Sequence, residues 1–222
     1  MPRITRSKST VLAPISRPAP LTWRPQSPAD LVGPARLIGE RLLAKVTRLK
    51  SQGGGPLKLL LYGPPGIGKT SLAELLARHL VANRWDIEDV NGKTVNVEVV
   101  KQWMDRLAYG SLWGDWTVKL INEFDRCSRD AQDLLLTYLD QLPPGKAVIG
   151  TSNLDLGALT DRVQTRFQAI EIQGPTTEEL ATFLGQRFDT PPEVANMVAV
   201  GSGGNVRAAL ADLETWFDAN GP

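Results

Sequence analysis

A single cysteine, Cys127, stands among the 222 residues, which excludes an intrachain disulfide and fits a reducing compartment. The formal charge is only +1, so no global field drives the chain onto nucleic acid or a membrane surface. Any such contact needs a local patch. No apolar run approaches the ~20 residues of a membrane span, and neither a secretory leader nor an internal repeat is visible. Acids are missing from the first twenty residues, which carry Arg3, Arg6, Lys8 and Arg17. Residues 1–20 have too little periodic apolar content to pack and read as a solvated basic tail. A backbone-binding arm and an organelle transit peptide are the alternatives. The expected location is cytoplasmic, with organelle targeting by this tail left open.

What the chain does have is a regular alternation of two periods. From Pro34, Ile38, Leu42, Val46 and Leu49 share one helical face, and "SQGGGP" (51–56) ends that helix. "LKLLLY" (57–62) is a short apolar run between turn signals and reads as a buried strand. The next helix carries Leu72, Leu75, Leu76, His79 and Leu80 on one stripe, with His79 expected in the core. "WDIEDV" (85–90), "WTVKLI" (116–121), "AVIGT" (147–151) and "QAIEI" (168–172) are the remaining strand candidates. Helices are expected over 96–108 and 130–142, the second stopped by Pro143-Pro144. Strands alternating with helices imply an α/β fold with a parallel sheet flanked by helices. After Gly174-Pro175 the strands stop, Thr176 and Glu179 stand at capping-box spacing, and about three helices follow. The expected division is a tail at 1–20, an α/β nucleotide-binding domain at 21–174 and a small helical lid at 175–222. The aromatic loop "YGSLWGDW" (109–116) is expected to pack, with an exposed Trp113 as a partner contact the other reading.

"GPPGIGKT" (63–70) follows the first strand and opens a helix, matching G-x-x-x-x-G-K-[ST]. Gly63, Gly66 and Gly68 let backbone amides turn inward around a β-phosphate without a Cβ in the way. Pro64, Pro65 and Ile67 complete the loop, and Ser71 follows in the first helical turn. The helix N-terminus adds the positive end of its dipole. In this motif Lys69 reaches the β- and γ-phosphates of ATP, and the Thr70 hydroxyl ligates Mg²⁺.

Besides the loop, six further stretches stand in an order that resembles one family. "LTWRPQSPADLVG" (21–33), "DVNGKTVNVEVVKQ" (89–102), "LINEFDR" (120–126), "VIGTSN" (148–153), "VQTRFQ" (163–168) and "GGNVRAALADLE" (203–214) resemble segments of the AAA+ ATPases. Within them the likeness is to the small clamp-loader subunits of the replication factor C type. The resemblance implies a P-loop AAA+ core with a C-terminal lid, and ATP and Mg²⁺ as cofactors. It implies Val32 beside the adenine, Glu123 polarising the attacking water and Asn153 helping to place it. Arg166 becomes the finger inserted into a neighbour's site, with Arg162 a weaker candidate, and Arg207 the lid arginine sensing the γ-phosphate. The collar helices of clamp loaders have no counterpart here, so the expectation is a minimal module.

One position departs from that pattern. Asn122 stands where the family has an Asp that meets the metal through its water shell. An amide oxygen keeps the acceptor but not the charge, and Mg²⁺ favours anionic oxygen. The expectation is weakened metal binding and slow turnover, with Asn122→Asp tightening it. The implied partners are ATP, other copies of the chain or related subunits, and DNA or a DNA-bound protein; no membrane is implied. The leading expectation is an ATP hydrolase assembling as a ring or filament on DNA in replication, repair or mobile-element work. The alternatives are an ATP-gated assembly switch with little hydrolysis and a protein-remodelling ATPase.

Overall fold

The computed structural model describes residues 19–154 and 161–220. The expected basic tail lies, up to residue 18, outside the described residues. Five strands form one sheet: β1 (Leu57–Tyr62), β2 (Ile87–Asn91), β3 (Thr117–Asn122), β4 (Lys146–Ser152) and β5 (Gln168–Glu171). All neighbours pair in parallel, in the order β2-β3-β4-β1-β5. Leu57, Leu59, Leu60 and Leu61 of β1 are all buried, as a central strand covered on both faces requires. One face is closed by α1 (Pro34–Ser51) and α2 (Lys69–Leu80), the other by α3 (Val97–Asp105) and α4 (Arg129–Asp140).

Local chemistry sets the ends of these elements. Asn96 accepts from the Val99 amide to start α3, and Ser128 accepts from the Ala131 amide to start α4. Each such cap is worth about 1 kcal/mol. Before β2, Asn83 accepts from the Trp85 amide and winds 84–86 into a 3-10 turn. The strand read from Trp85 therefore begins at Ile87 instead.

A short helix, α5 (Asp161–Arg166), precedes β5 and carries Arg166 in its last turn. Then come α6 (Thr177–Phe188), α7 (Pro192–Ser202) and α8 (Val206–Asn220). Thr176 and Glu179 do form the reciprocal capping box: Thr176 Oγ1 accepts from the Glu179 amide at 3.2 Å, and Glu179 Oε2 from the Thr176 amide at 2.8 Å. These three helices share a core of their own around Leu180, Leu184, Phe188, Val198 and Leu213, into which Val32 and Trp23 also reach.

Two readings of single residues change. His79 is only half-buried; its Nε2 sits 2.8 Å from Thr47 Oγ1, so it ties α2 to α1 instead of filling the core. A ring nitrogen needs a polar partner, and the edge of the helix pair supplies one. In the aromatic loop Trp116 is buried, but Tyr109, Leu112 and Trp113 are 69%, 88% and 52% exposed, so only one end of that loop packs.

Candidate functional site

The C-terminal ends of β1, β3 and β4 lie side by side and deliver three loops to one place. There a cavity of about 510 Å³ opens between the sheet, the segment 21–32 and the start of α8. Of the residues singled out by sequence, Val32, Pro65 to Ser71, Glu123, Asn153 and Arg207 line it. Gly63 and Pro64 stand behind the loop and act through their carbonyls. Asn122 is beside the cavity, not on its wall, and Arg166 lies elsewhere.

The loop after β1 has the backbone a phosphate cradle needs. Gly63, Gly66 and Gly68 adopt φ of 138°, 78° and 98°, which a side chain would strain. A Cβ on Gly63 would stand 2.1 Å from the Ile172 carbonyl oxygen. The α2 helix begins at Lys69, so its free amides and dipole end face the cavity. Lys69 is 5% exposed; its Nζ donates to the carbonyls of Gly63 at 2.8 Å and Pro64 at 2.5 Å. Burial pulls its pKa from the ordinary 10.5 to about 8, Asp125 opposes that shift, and Arg207 adds to it. A buried cation held by neutral carbonyls, on a loop of inward-turned amides, fits a polyphosphate. Mg²⁺ also fits: the Thr70 and Ser71 hydroxyls and the Glu123 carboxylate share this wall. Among the described residues no three His, Cys, Asp or Glu side chains cluster as a metal site.

Glu123 is held in a conformation that costs free energy. Its backbone is left-handed, φ 56° and ψ 51°, a region that non-glycine residues avoid. Three neighbours hold it there. Its amide donates to Thr151 Oγ1 at 3.2 Å, and its Oε2 lies 3.3 Å from both Asn91 Nδ2 and Arg126 Nε. Gly92 is packed so closely that a Cβ would meet the Glu123 carbonyl oxygen at 2.1 Å. The Asn153 backbone amide donates to Asp125 Oδ1 at 3.3 Å.

Asn122 is fully engaged. Its Nδ2 donates to Asp89 Oδ1 at 2.9 Å, and its Oδ1 accepts from Thr151 Oγ1 at 3.3 Å. Sequence motifs alone do not mark Asp89, Asn91, Gly92, Arg126 and Thr151, which the structure brings to Glu123 and Asn122. The Asn91-Gly92 pair at the end of a strand was the one local signal; the rest depend on strand register.

The bundle of α6, α7 and α8 closes onto the loop through the backbone at the start of α8. The Arg207 amide donates to the Gly66 carbonyl at 3.1 Å. Asn205 caps α8 through the Ala208 amide, and its side chain fills the space where a Cβ on Gly66 would lie, 1.9 Å from Oδ1. The Arg207 side chain is exposed on the cavity wall. Arg166 Nε donates to both Asp140 carboxylate oxygens at 3.0 Å, remote from this chain's own cavity. Arg162 is exposed, with Nη1 3.9 Å from Asp133 Oδ1.

Parallel sheet, phosphate loop and cavity together define a P-loop nucleotide-binding protein of the α/β class. More narrowly, the chain belongs to the ATPase family associated with various cellular activities (AAA), whose profile matches residues 59–174. The family-level resemblance read from the sequence therefore holds. The replication-associated recombination protein A of Haemophilus influenzae is 25% identical over 215 residues, covering 90% of this chain and 46% of that protein. The Holliday junction branch migration complex subunit RuvB of Mycobacterium avium is 26% identical, covering 89% of this chain and 55% of that protein. The chain thus spans about half the length of the curated relatives it matches. A solved RuvB variant from Thermotoga maritima superposes with a TM-score of 0.69 at 24% identity, over 85% of this chain and 63% of that one, a likeness of fold. Among the described residues no helix is long and apolar enough to cross a membrane.

Proposed function

We propose that the protein binds and hydrolyses ATP with Mg²⁺ at the interfaces of an assembly that acts on DNA. The observation that carries this reading is Lys69, buried in a loop of left-handed glycines at the mouth of a helix and facing a cavity that also receives Glu123, Asn153 and Arg207. Gly63 to Ser71 bind the phosphates, and Val32 lines the base end of the cavity. Thr70 holds the metal, with Asn122 behind it. Mg²⁺, when bound, neutralises charge on the β- and γ-oxygens. Glu123 accepts the proton of the attacking water and Asn153 orients that water. Arg207 reads the γ-phosphate from the helices of 175–222, which act as a lid on the 21–174 domain.

Arg166 is assigned to a neighbouring subunit's site. Its position away from the chain's own cavity supports action in trans, and the Asp140 pair holds it until assembly. A preorganised cation at the γ-phosphoryl is worth several orders of magnitude in rate. The relatives are named for recombination and branch migration, which supports DNA as the partner. The narrower kinship with clamp-loader small subunits rests on motif order alone, so the reading is set at the level shared by both: a DNA-associated AAA ATPase. The charge missing at Asn122 favours a second reading, an ATP-gated assembly switch.

Sizing the protein with ATP, ADP or no nucleotide, with and without DNA, tests both. ATP-dependent assembly with DNA-stimulated phosphate release supports the ATPase. Assembly without release at any Mg²⁺ concentration supports the switch. No ATP-dependent change and no ATP binding overturns both.

A further inference from the structure

The negative charge absent from residue 122 stands one hydrogen bond away, on the neighbouring strand. β2 and β3 pair with Asn91 opposite Asn122, and Asp89 lies two residues earlier on β2. Asn122 Nδ2 donates to Asp89 Oδ1 at 2.9 Å. Turned the other way, the amide would place its oxygen against the carboxylate, so Asp89 fixes the orientation of Asn122. That orientation presents Oδ1 to Thr151, whose hydroxyl donates at 3.3 Å and itself accepts from the Glu123 amide at 3.2 Å. A continuous, single-direction chain results: Glu123 amide to Thr151, Thr151 to Asn122, Asn122 to Asp89. It starts at Glu123, the residue held in the left-handed conformation, and ends on the Asp89 carboxylate.

We infer that Asp89 is a positioning residue for this site: it supplies the carboxylate that Asn122 lacks and orients Glu123 through Asn122 and Thr151. This rests on the nucleotide-binding reading and deepens it. Asp89 lines a second cavity of about 450 Å³, and Glu74 and Arg78 belong to the walls of both that cavity and the nucleotide cavity. Asp89 therefore acts from behind the site and does not touch nucleotide. The pair Asp89–Asn122 carries one negative charge in total, as a lone Asp at 122 would. Asn122→Asp by itself would set two carboxylates face to face across the 2.9 Å now spanned by a hydrogen bond. Restoring the family's usual residue alone then does not tighten metal binding, contrary to the expectation from sequence.

The test uses Asp89→Asn, Asn122→Asp and the swap Asp89→Asn/Asn122→Asp. ADP and ATP binding is measured by calorimetry across a Mg²⁺ series and in EDTA, and the nucleotide-free proteins are unfolded in denaturant. In each single variant the Mg²⁺ concentration for half-maximal tightening should rise about tenfold, the loss of one charge-assisted contact. The swap, in which the amide at 89 donates to the carboxylate at 122 and Thr151 still has an acceptor there, restores one carboxylate and a complete set of hydrogen bonds, and should return it to the parent value. ADP affinity in EDTA should stay unchanged throughout, which a merely structural role would not predict. Nucleotide-free stability should fall in both singles and recover in the swap. An unchanged Mg²⁺ midpoint in Asp89→Asn, or single effects that simply add in the swap, overturns the inference. If the parent binds no nucleotide, the wider reading fails. The unfolding cycle still decides the hydrogen-bond chain: additive losses overturn it.

Discussion

Replacing Lys69 by methionine should stabilise the empty protein while removing its ligand. Lys69 is a buried cation whose Nζ meets two carbonyl oxygens, and burial lowers its pKa from 10.5 to about 8. Holding it protonated in the fold therefore costs about 3 kcal/mol at neutral pH. Methionine keeps the stem and removes the charge. It also leaves the Gly63 and Pro64 carbonyls without that donor, about 1 kcal/mol each. The net gain is about 1 kcal/mol, which for a chain of this size raises Tm by about 2–4 °C. The pH dependence has a definite sign. Below about pH 8 Lys69 is charged in both states and the folded state bears the full cost. Between about 8 and 10.5 the unfolded chain binds more protons than the folded one, so the parent gains stability with rising pH relative to Lys69→Met. Above that range the amine is neutral in both states, still donates to its carbonyls, and the parent becomes the more stable. Denaturant unfolding at pH 7.5 and 10.5, with ATP calorimetry at pH 7.5, reads all of this. ATP affinity should fall by about 100-fold or more, since the cation closest to the phosphates is gone. A variant less stable than the parent at pH 7.5, or a stability difference that does not change with pH, refutes the reasoning.

Arg166→Ala should spare ATP binding by the single chain and cut hydrolysis by the assembly about 10³-fold. Its half-exposed pair with Asp140 is worth no more than about 1 kcal/mol, so stability should barely move. Mixing it with Glu123→Gln should restore some turnover, because one interface then joins an intact Glu123 to an intact Arg166; normal hydrolysis by Arg166→Ala moves the finger assignment to Arg162. Glu123→Gln should abolish turnover and keep nucleotide binding, measured as phosphate release against calorimetric affinity. Gly66→Ala strains a φ of 78° and drives a methyl into Asn205, so it should weaken ATP binding at least tenfold and raise protease cleavage in 175–222.

The local sequence determined most of the architecture, because the signals involved act within a few residues. The apolar run 57–62, the glycine spacing of 63–68 and the caps at Asn96, Ser128 and Thr176 each specify their element without reference to the rest of the chain. The phosphate cradle belongs to that group, since strand, loop and helix are contiguous. What surrounds Glu123 does not. Asn91, Thr151, Asp89 and Arg126 reach it or its neighbour Asn122 from two strands, β2 and β4, and a turn, through a register that pairs Asn91 with Asn122 and Leu61 with Thr151. Register depends on the packing of whole faces, so no short stretch encodes it. Read alone, Asn122 is a lost charge; placed in the sheet, it is half of a pair whose other half carries that charge. Likewise Asn205 gains its place against Gly66 only once α8 docks on the loop, a contact between residues 139 positions apart in the chain.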